Sequence, residues 1–292
     1  MRFFLFLLLA PFCMGIIDSI EPAPIIDPGK AEGSLQINEK SITLRYAYAH
    51  LHDNAEGLLE QSERLRVLIT DREVSPNELA GIAFLPVMEL AKQGRAQGIM
   101  FEMSPDDPSN VVMTLLKTPS KPGQFLLRES INVSGQELFK DWSLTSQRVV
   151  GAIERRGARE PSLSDYPAVS YSVRFSAPVF NEPKVTADLK GRAALESPQA
   201  RVLSAKADAL TKGDFATVNK LSTERANRRN GEVFALGNAK ATQLAREAGA
   251  EMKKSLAKIQ RVVERGDRAI VIFPSKQWST FVREGGEWKS DE

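Results

Sequence analysis

Arg201–Leu210, RVLSAKADAL, runs on through Lys212–Gly213–Asp214 and decides the fold class. Val202, Ala205, Ala209 and Leu210 recur at helical spacing, whereas the chain before Gly191 alternates or runs apolar in pieces of strand length. Gly213 suits a helix stop, where a left-handed residue costs least, and Asp214 suits the cap of a following helix. That helix is expected over Phe215–Arg229, closing at Asn230–Gly231, with a third from Val233 to Ser255. Three strands then follow, Ile259–Val263, Ala269–Phe273 and Trp278–Val282, joined by Gly266–Asp267 and closed by a turn at Gly285–Gly286. Helices followed by a short antiparallel sheet make residues 192–292 a small α+β domain.

Upstream, Leu35 and Ile37 face Ile42, Leu44 and Tyr46 across the polar turn Asn38–Glu39–Lys40, a hairpin signal. Arg64–Thr70 (RLRVLIT), Gly98–Met103, Asn110–Lys117, Gln124–Arg128, Arg148–Arg155, Ala168–Phe175 and Val185–Leu189 read as further strands. Residues 76–94 read as a helix that Pro86 kinks or ends. About eight to ten short strands with frequent turns point to a β-sandwich-like domain, or a partly closed barrel, over 33–191.

The first residues belong to neither domain. Arg2 precedes the apolar run Phe3–Ala10, and Gly15 is a small residue at a cleavage position, so 1–15 reads as a secretory signal peptide cut after Gly15. The run falls short of the roughly 20 apolar residues of a membrane span, so the mature chain is expected to have no transmembrane segment. Cys13 is preceded by Phe12 where a lipoprotein signal needs a small residue, which speaks against lipid anchoring. Cleavage would leave no cysteine, as suits a periplasmic or secreted bacterial protein. Residues 16–32, with Pro22, Pro24 and Pro28, read as an extended linker.

Composition narrows the chemistry. The 292 residues carry 39 Lys and Arg against 37 Asp and Glu, a net +2 that is too balanced for a nucleic-acid-coating protein. Residues 192–292 hold 19 basic and 13 acidic side chains, and the remainder 20 and 24, so the two parts of the chain carry +6 and −4, opposite signs that allow the domains to dock on each other. The two histidines, His50 and His52, alternate on a strand just before Asp53 and could share a face. A tetrahedral zinc site draws three or four protein ligands, so no metal is assigned and these residues are expected to be exposed and polar. Ser255-Leu-Ala-Lys258 fits a Ser-x-x-Lys pattern without its companion motifs, and Lys220, Glu224 and Arg228 read as a salt-bridged helix face. Asp106–Asp107 reads as a turn between prolines, and no dinucleotide, phosphate-loop or His-Glu-x-x-His motif occurs, so neither a cofactor nor a catalytic residue is assigned.

One resemblance bears on function. Gly213–Asp214 after a helix, the helices beyond it, and the hairpin Phe281-Val-Arg-Glu-Gly-Gly-Glu-Trp-Lys289 resemble the nuclear-transport-factor-two-like (SnoaL-like) cone fold, in particular small exported versions of unknown function. The likeness covers the last third of the chain, with few strands. The front half, with Gly33-x-Leu35-x-Ile37 and Tyr171-x-Val173-x-Phe175, is similar to β-rich domains of uncharacterised bacterial envelope proteins. The cone resemblance implies a concave sheet face for a small apolar ligand, and Trp278, Phe281 and Trp288 are the candidate ligand-binding residues, unless they only seal the core. The expectation is an exported, non-catalytic binding or assembly protein of the envelope, whose partner is an envelope protein or a small ligand. The alternative is a hydrolase- or isomerase-type enzyme using the cone pocket, with Asp208, Asp214, Glu232 or Glu264 as a buried acid.

Overall fold

The computed structural model describes residues 26–292 apart from 61, 76–77, 79–86, 88–89, 92, 119–127, 133–138, 156–167 and 235–238. The signal segment with Cys13 and Gly15, most of the linker, and most of the expected helix over 76–94 lie outside the described residues, although Val87, Leu90 and Ala91 are helical.

Nine strands make the first sheet: β1 (Lys30–Ile37), β2 (Lys40–His52), β3 (Arg64–Thr70), β4 (Gly98–Ser104), β5 (Asp107–Leu116), β6 (Arg128–Asn132), β7 (Phe139–Leu144), β8 (Arg148–Arg155) and β9 (Val169–Asn181). Their order is β6-β5-β4-β3-β2-β1-β9-β8-β7, one continuous sheet, whereas the sandwich reading would divide the strands between two. It curls over its own core. Phe101 on β4 meets Phe139 on β7 edge-on at 5.6 Å and Tyr171 on β9 at 6.0 Å, although these strands stand far apart in the order. β1 begins at Lys30, inside the stretch read as linker. The expected β1–β2 hairpin forms, with Ile37 opposite Lys40 and Asn38 at φ 53°.

Period-2 alternation places Leu35, Leu44, Leu65, Ile69, Ile99, Phe101, Met113 and Phe175 in the inner core. In β2 the buried positions slip by one between Leu44 and Ala47. Ala47, Ala49 and Leu51 therefore face inward with the core, and Tyr46, Tyr48, His50 and His52 turn to the outer face. Part of that face is apolar: Leu68, Met100 and Leu116 pack against Val74, Val87, Leu90 and Ala91.

The second sheet runs β10 (Ala187–Lys190), β11 (Arg261–Arg265), β12 (Arg268–Ile272), β13 (Trp278–Glu284) and β14 (Glu287–Ser290), each antiparallel to the next. β10 precedes Gly191 yet belongs to this sheet, so the second unit starts before the expected boundary at 191/192. Between β10 and β11 come α1 (Arg192–Leu195), α2 (Pro198–Lys212), α3 (Phe215–Lys220), α4 (Glu224–Phe234) and α5 (Ala239–Leu256). The chain is thus mixed α+β. Gly213 ends α2 at φ 73°, and Asp214 caps α3 by accepting from the Thr217 amide at 3.1 Å. The single helix expected over Phe215–Arg229 is two. Ser222 bridges to Ser290 and Thr223 accepts from the Ala226 amide, so a strand contact and a new cap interrupt the run.

The small sheet is covered on both faces by different means. On one, Val262, Val271, Phe281 and Trp288 pack against Ala200 and Leu203 of α2 and Met252 and Leu256 of α5. On the other, Val263, Ile270, Ile272 and Trp278 pack against Leu58 and Leu59, which follow β2 in the first unit.

Candidate functional site

The two units meet around buried charge. β1 stops short of the far end of β2: Gly29 joins Ser176 and Ala47 by backbone hydrogen bonds, and beyond it β2 and β9 pair directly and in parallel. That places Phe180 beside His50, and the ladder continues with Arg66 opposite His50 and Glu102 opposite Arg66. Four neighbouring strands therefore present one cross-strand row on the outer face, Phe180–His50–Arg66–Glu102.

Arg66 Nε donates to Glu102 Oε2 at 3.4 Å, and Arg64 lies 3.6 Å from the other oxygen of Glu102. Arg66 Nη1 approaches His50 Nδ1 at 3.3 Å. A guanidinium can only donate, so Nδ1 carries the lone pair and His50 is neutral, its Nε2–H donating to Glu182 Oε1 at 2.8 Å. Burial lowers the pKa of His50, which agrees with the tautomer the geometry requires.

His52 is 1% exposed and lies between two carboxylates, Nε2 at 3.2 Å from Glu56 Oε2 and Nδ1 at 3.5 Å from Glu182 Oε1. Neither approach has the direction of a good hydrogen bond. Burial is the largest single influence on this ring and opposes its charge, but the Glu182 and Glu56 carboxylates together outweigh it and raise the pKa. The two histidines, two residues apart and sharing Glu182, are pushed in opposite directions.

From Glu56 the chain of charge crosses to the second unit. Arg265 of β11 donates from Nε to Glu56 Oε1 at 2.7 Å, from Nη1 to Asp53 Oδ2 at 3.3 Å and to Pro183 O at 2.7 Å, and its Nη2 also binds Asp53. Burial alone would raise the Glu56 pKa, yet His52 and Arg265 bring it down to about 2. Next to this, Arg261 donates to Asp188 Oδ1 at 2.6 Å and to the carbonyls of Ala55 and Glu56 at 2.9 and 3.1 Å. The intervening loop braces itself, since Asn54, at φ 51°, exchanges side-chain hydrogen bonds with the Leu59 backbone at 2.9 and 3.1 Å.

His52, Asp53 and Glu56 bring donor atoms within 4.8 Å of one another, a spacing that could hold a metal ion. The Arg265 guanidinium already spans Asp53 and Glu56 and fills the cation position between them. Four carboxylates (Asp53, Glu56, Glu102 and Glu182) are matched by Arg64, Arg66, Arg265 and Arg268, the last of which feels Glu182. The arginines leave no negative charge in the cluster for a metal to neutralise. Beside it a cleft of about 320 Å³ is lined by Leu58, Lys190, Arg261, Ile272, Phe273 and Lys276.

The expectation that His50 and His52 are exposed is overturned, because the slip in β2 and the docked second unit bury both. Phe281 and Trp288 lie buried against the helices, whereas Trp278 sits on the opposite face with Ile270 and Ile272, so the three aromatics do not line one pocket. Asp208 pairs with Lys253 at 2.6 Å on the surface, Asp214 is a helix cap, and Glu264 accepts from Gln199 at 2.8 Å; nothing is described of the Glu232 side chain. Ser255 donates to the Glu251 carbonyl in an exposed position, away from any of these groups. Sequence reading passed over Arg66, Glu102, Glu182 and Arg265. Arg66 and Glu102 did leave a trace, as charges inside the otherwise largely apolar strands RLRVLIT and GIMFEMS.

No protein-family model matches the chain, and neither a curated protein nor a solved structure matches it at significant similarity.

Proposed function

We propose that this chain is an exported, non-catalytic binding or assembly protein of the bacterial envelope, periplasmic or secreted, with residues 1–15 as its signal peptide. One observation carries the non-catalytic part. The buried ionisable groups from Glu102 to Arg265 are spent on one another across the junction of the two units, in a chain of paired charges. Such a chain fixes the relative placement of two surfaces, which is what a binding module needs. In this reading the curled first sheet stands in for a sandwich-like scaffold. Residues 187–292 act as a SnoaL-like, cone-like unit whose loop-covered face lies next to the binding site.

The site itself we place at the junction cleft. Lys276, together with Lys190 and Arg261 (both paired with Asp188), stands beside Glu56 and apolar Leu58, Ile272 and Phe273, a mixed lining that suits a small ligand or partner group with a polar end on an apolar body. Lys276 stands at its rim with φ 56°, an unusual backbone for a lysine.

Expression of the full chain in a Gram-negative host tests both parts. The mature protein is expected in the periplasmic fraction with a mass that starts at Ile16. A photo-crosslinking residue at position 276 should capture an envelope component that the same residue at exposed Leu244 does not. An intact Met1 form confined to the cytoplasm overturns export, and equal capture at the two positions overturns the cleft.

A further inference from the structure

We infer that the contact between the two units is a proton-controlled latch, closed when His52 is an imidazolium bridging Glu182 and Glu56 and loosened when it is neutral. The geometry carries this. Both ring nitrogens of His52 lie within 3.5 Å of carboxylate oxygens but off the direction of a good hydrogen bond, so what joins them is the attraction of opposite charges, which a doubly protonated ring supplies to both. A neutral ring offers one N–H. Its other nitrogen then turns a lone pair toward a carboxylate at 3.2 or 3.5 Å, in a place with almost no water, and one carboxylate must withdraw.

If Glu56 withdraws, it leaves Arg265, and the loop that carries it also carries Leu58 and Leu59 off Val263, Ile270 and Ile272. A single proton thus bears on whether the second face of the small sheet is covered. If Glu182 withdraws, it leaves His50 and releases the Pro183 carbonyl that Arg265 also holds. Either route loosens the same contact.

Among the described residues, charged and titratable groups stand around His52 on several elements. On its own strand there is neutral His50; after it, Asp53 and Glu56; on β3, Arg64 directly opposite and Arg66; on β4, Glu102 behind Arg66. After β9 there is Glu182; from β11, Arg265; and from β12, Arg268. The arginines hold their charge at all working pH values, and Glu56 stays ionised down to about 2. Above pH 6.5 the group that changes is therefore His52. Since its pKa is raised in the closed state, its stabilisation is complete below 6.5 and is lost as pH climbs through the raised value. His50, lowered, opposes the closed state only when the solution turns acid enough to protonate it.

The inference rests on the binding reading only for its use, since loosening the loop uncovers apolar surface next to the cleft. Its test is independent. The chain has two histidines, so imidazole ¹⁵N–¹H spectra of the full protein report both directly. His50→Gln assigns them. One ring is expected neutral with its proton on Nε2 through neutral pH, and the other doubly protonated at pH 6.5, titrating above it. Hydrogen exchange over 53–59 and β12, corrected for intrinsic rates, should lose protection by about ten-fold for each unit by which the His52 pKa is raised. β4 and β5 should keep theirs.

His52→Gln should remove the pH dependence, and Glu182→Gln should lower the His52 midpoint, which provides a second route if the first variant misfolds. Two ordinary histidine titrations, or protection over 53–59 that is the same at pH 6 and 9, would falsify the latch. Neither result touches the cellular location or the crosslink at position 276, and their failure in turn leaves these spectra unchanged.

Discussion

The two faces of the small sheet solve one problem in opposite ways. Phe281 and Trp288 are covered by α2 and α5, from the same stretch of chain, chiefly through apolar packing, to which Lys206 of α2 adds a buried donation to Ser290 of β14 at 2.7 Å. Ile270 and Ile272 are covered by Leu58 and Leu59, some two hundred residues away, held in place by Arg265, Arg261 and the carboxylates and carbonyls they bind. Apolar area stabilises without regard to pH. The charged contact depends on protonation states, and breaking it leaves a partner buried and unpaired. The helical face is thus built to be permanent and the loop face to be conditional.

The largest effect is expected where the packing is apolar. Phe281→Ala should cost about 3–5 kcal/mol, the range for a fully buried aromatic, and lower the midpoint of global denaturation. On the loop face Glu56→Gln should cost about 2 kcal/mol, because Arg265 keeps Asp53 and Pro183 while losing its most buried partner. Exchange protection should fall over 53–59 and β11 first. The sign with pH follows from the lowered pKa: the contribution of Glu56 is complete above its unfolded value near 4.5 and is lost as pH falls toward about 2. Acid unfolding of the wild type should therefore show a loss that the variant lacks. If Glu56→Gln lowered global stability as much as Phe281→Ala, the contrast between the faces would be gone.

Next comes Gly249 on α5. A Cβ there would lie 2.8 Å from the carbonyl oxygen of Ala207 and the amide nitrogen of Thr211, both backbone atoms of α2. Gly249→Ala is expected to cost about 1–3 kcal/mol by pushing the helices apart, against the gain alanine normally brings inside a helix. A thermal melt that rises instead would mean that the two helices can separate freely.

The same contrast explains what could be read from the sequence. Local features were legible: the Asn38 hairpin, the Gly213 stop, the Asp214 cap and the strands of the terminal sheet each depend on neighbours a few residues apart. The break at Ser222–Thr223 was not, because Ser222 pairs with Ser290 far along the chain. β7 was missed as well. Its sequence, FKDWSL, has one fully buried residue, and its ladder is broken by a register shift around Asp141 at φ 53°. The candidate site was half visible. Alternation does place His50 and His52 on one face, but nothing local states that Glu182 closes over them or that Arg265 arrives from the other unit. Burial is a property of the assembled fold, and two histidines before an aspartate look the same on the surface or beneath it.

The smallest expected effect sharpens the comparison from its edge. Arg261–Asp188 has the same chemistry as Arg265–Glu56 and lies two pleat repeats away along β11, but its side chains are 24% and 34% exposed against 6% and 4%. Arg261 holds the Asp188 carboxyl below its ordinary value, so the pair stabilises above that value and weakens as pH falls through the folded one. Water and salt reach it, and screening leaves such a pair at about 0–1 kcal/mol. Asp188→Asn should therefore shift stability by less than about 1 kcal/mol, a difference that 0.5–1 M salt abolishes, roughly the range where screening lengths fall to a few ångström. The Glu56→Gln deficit should persist in the same salt. Equal salt sensitivity in the two variants would show that solvent enters the junction freely, and then exposure could not be what separates the two arginines.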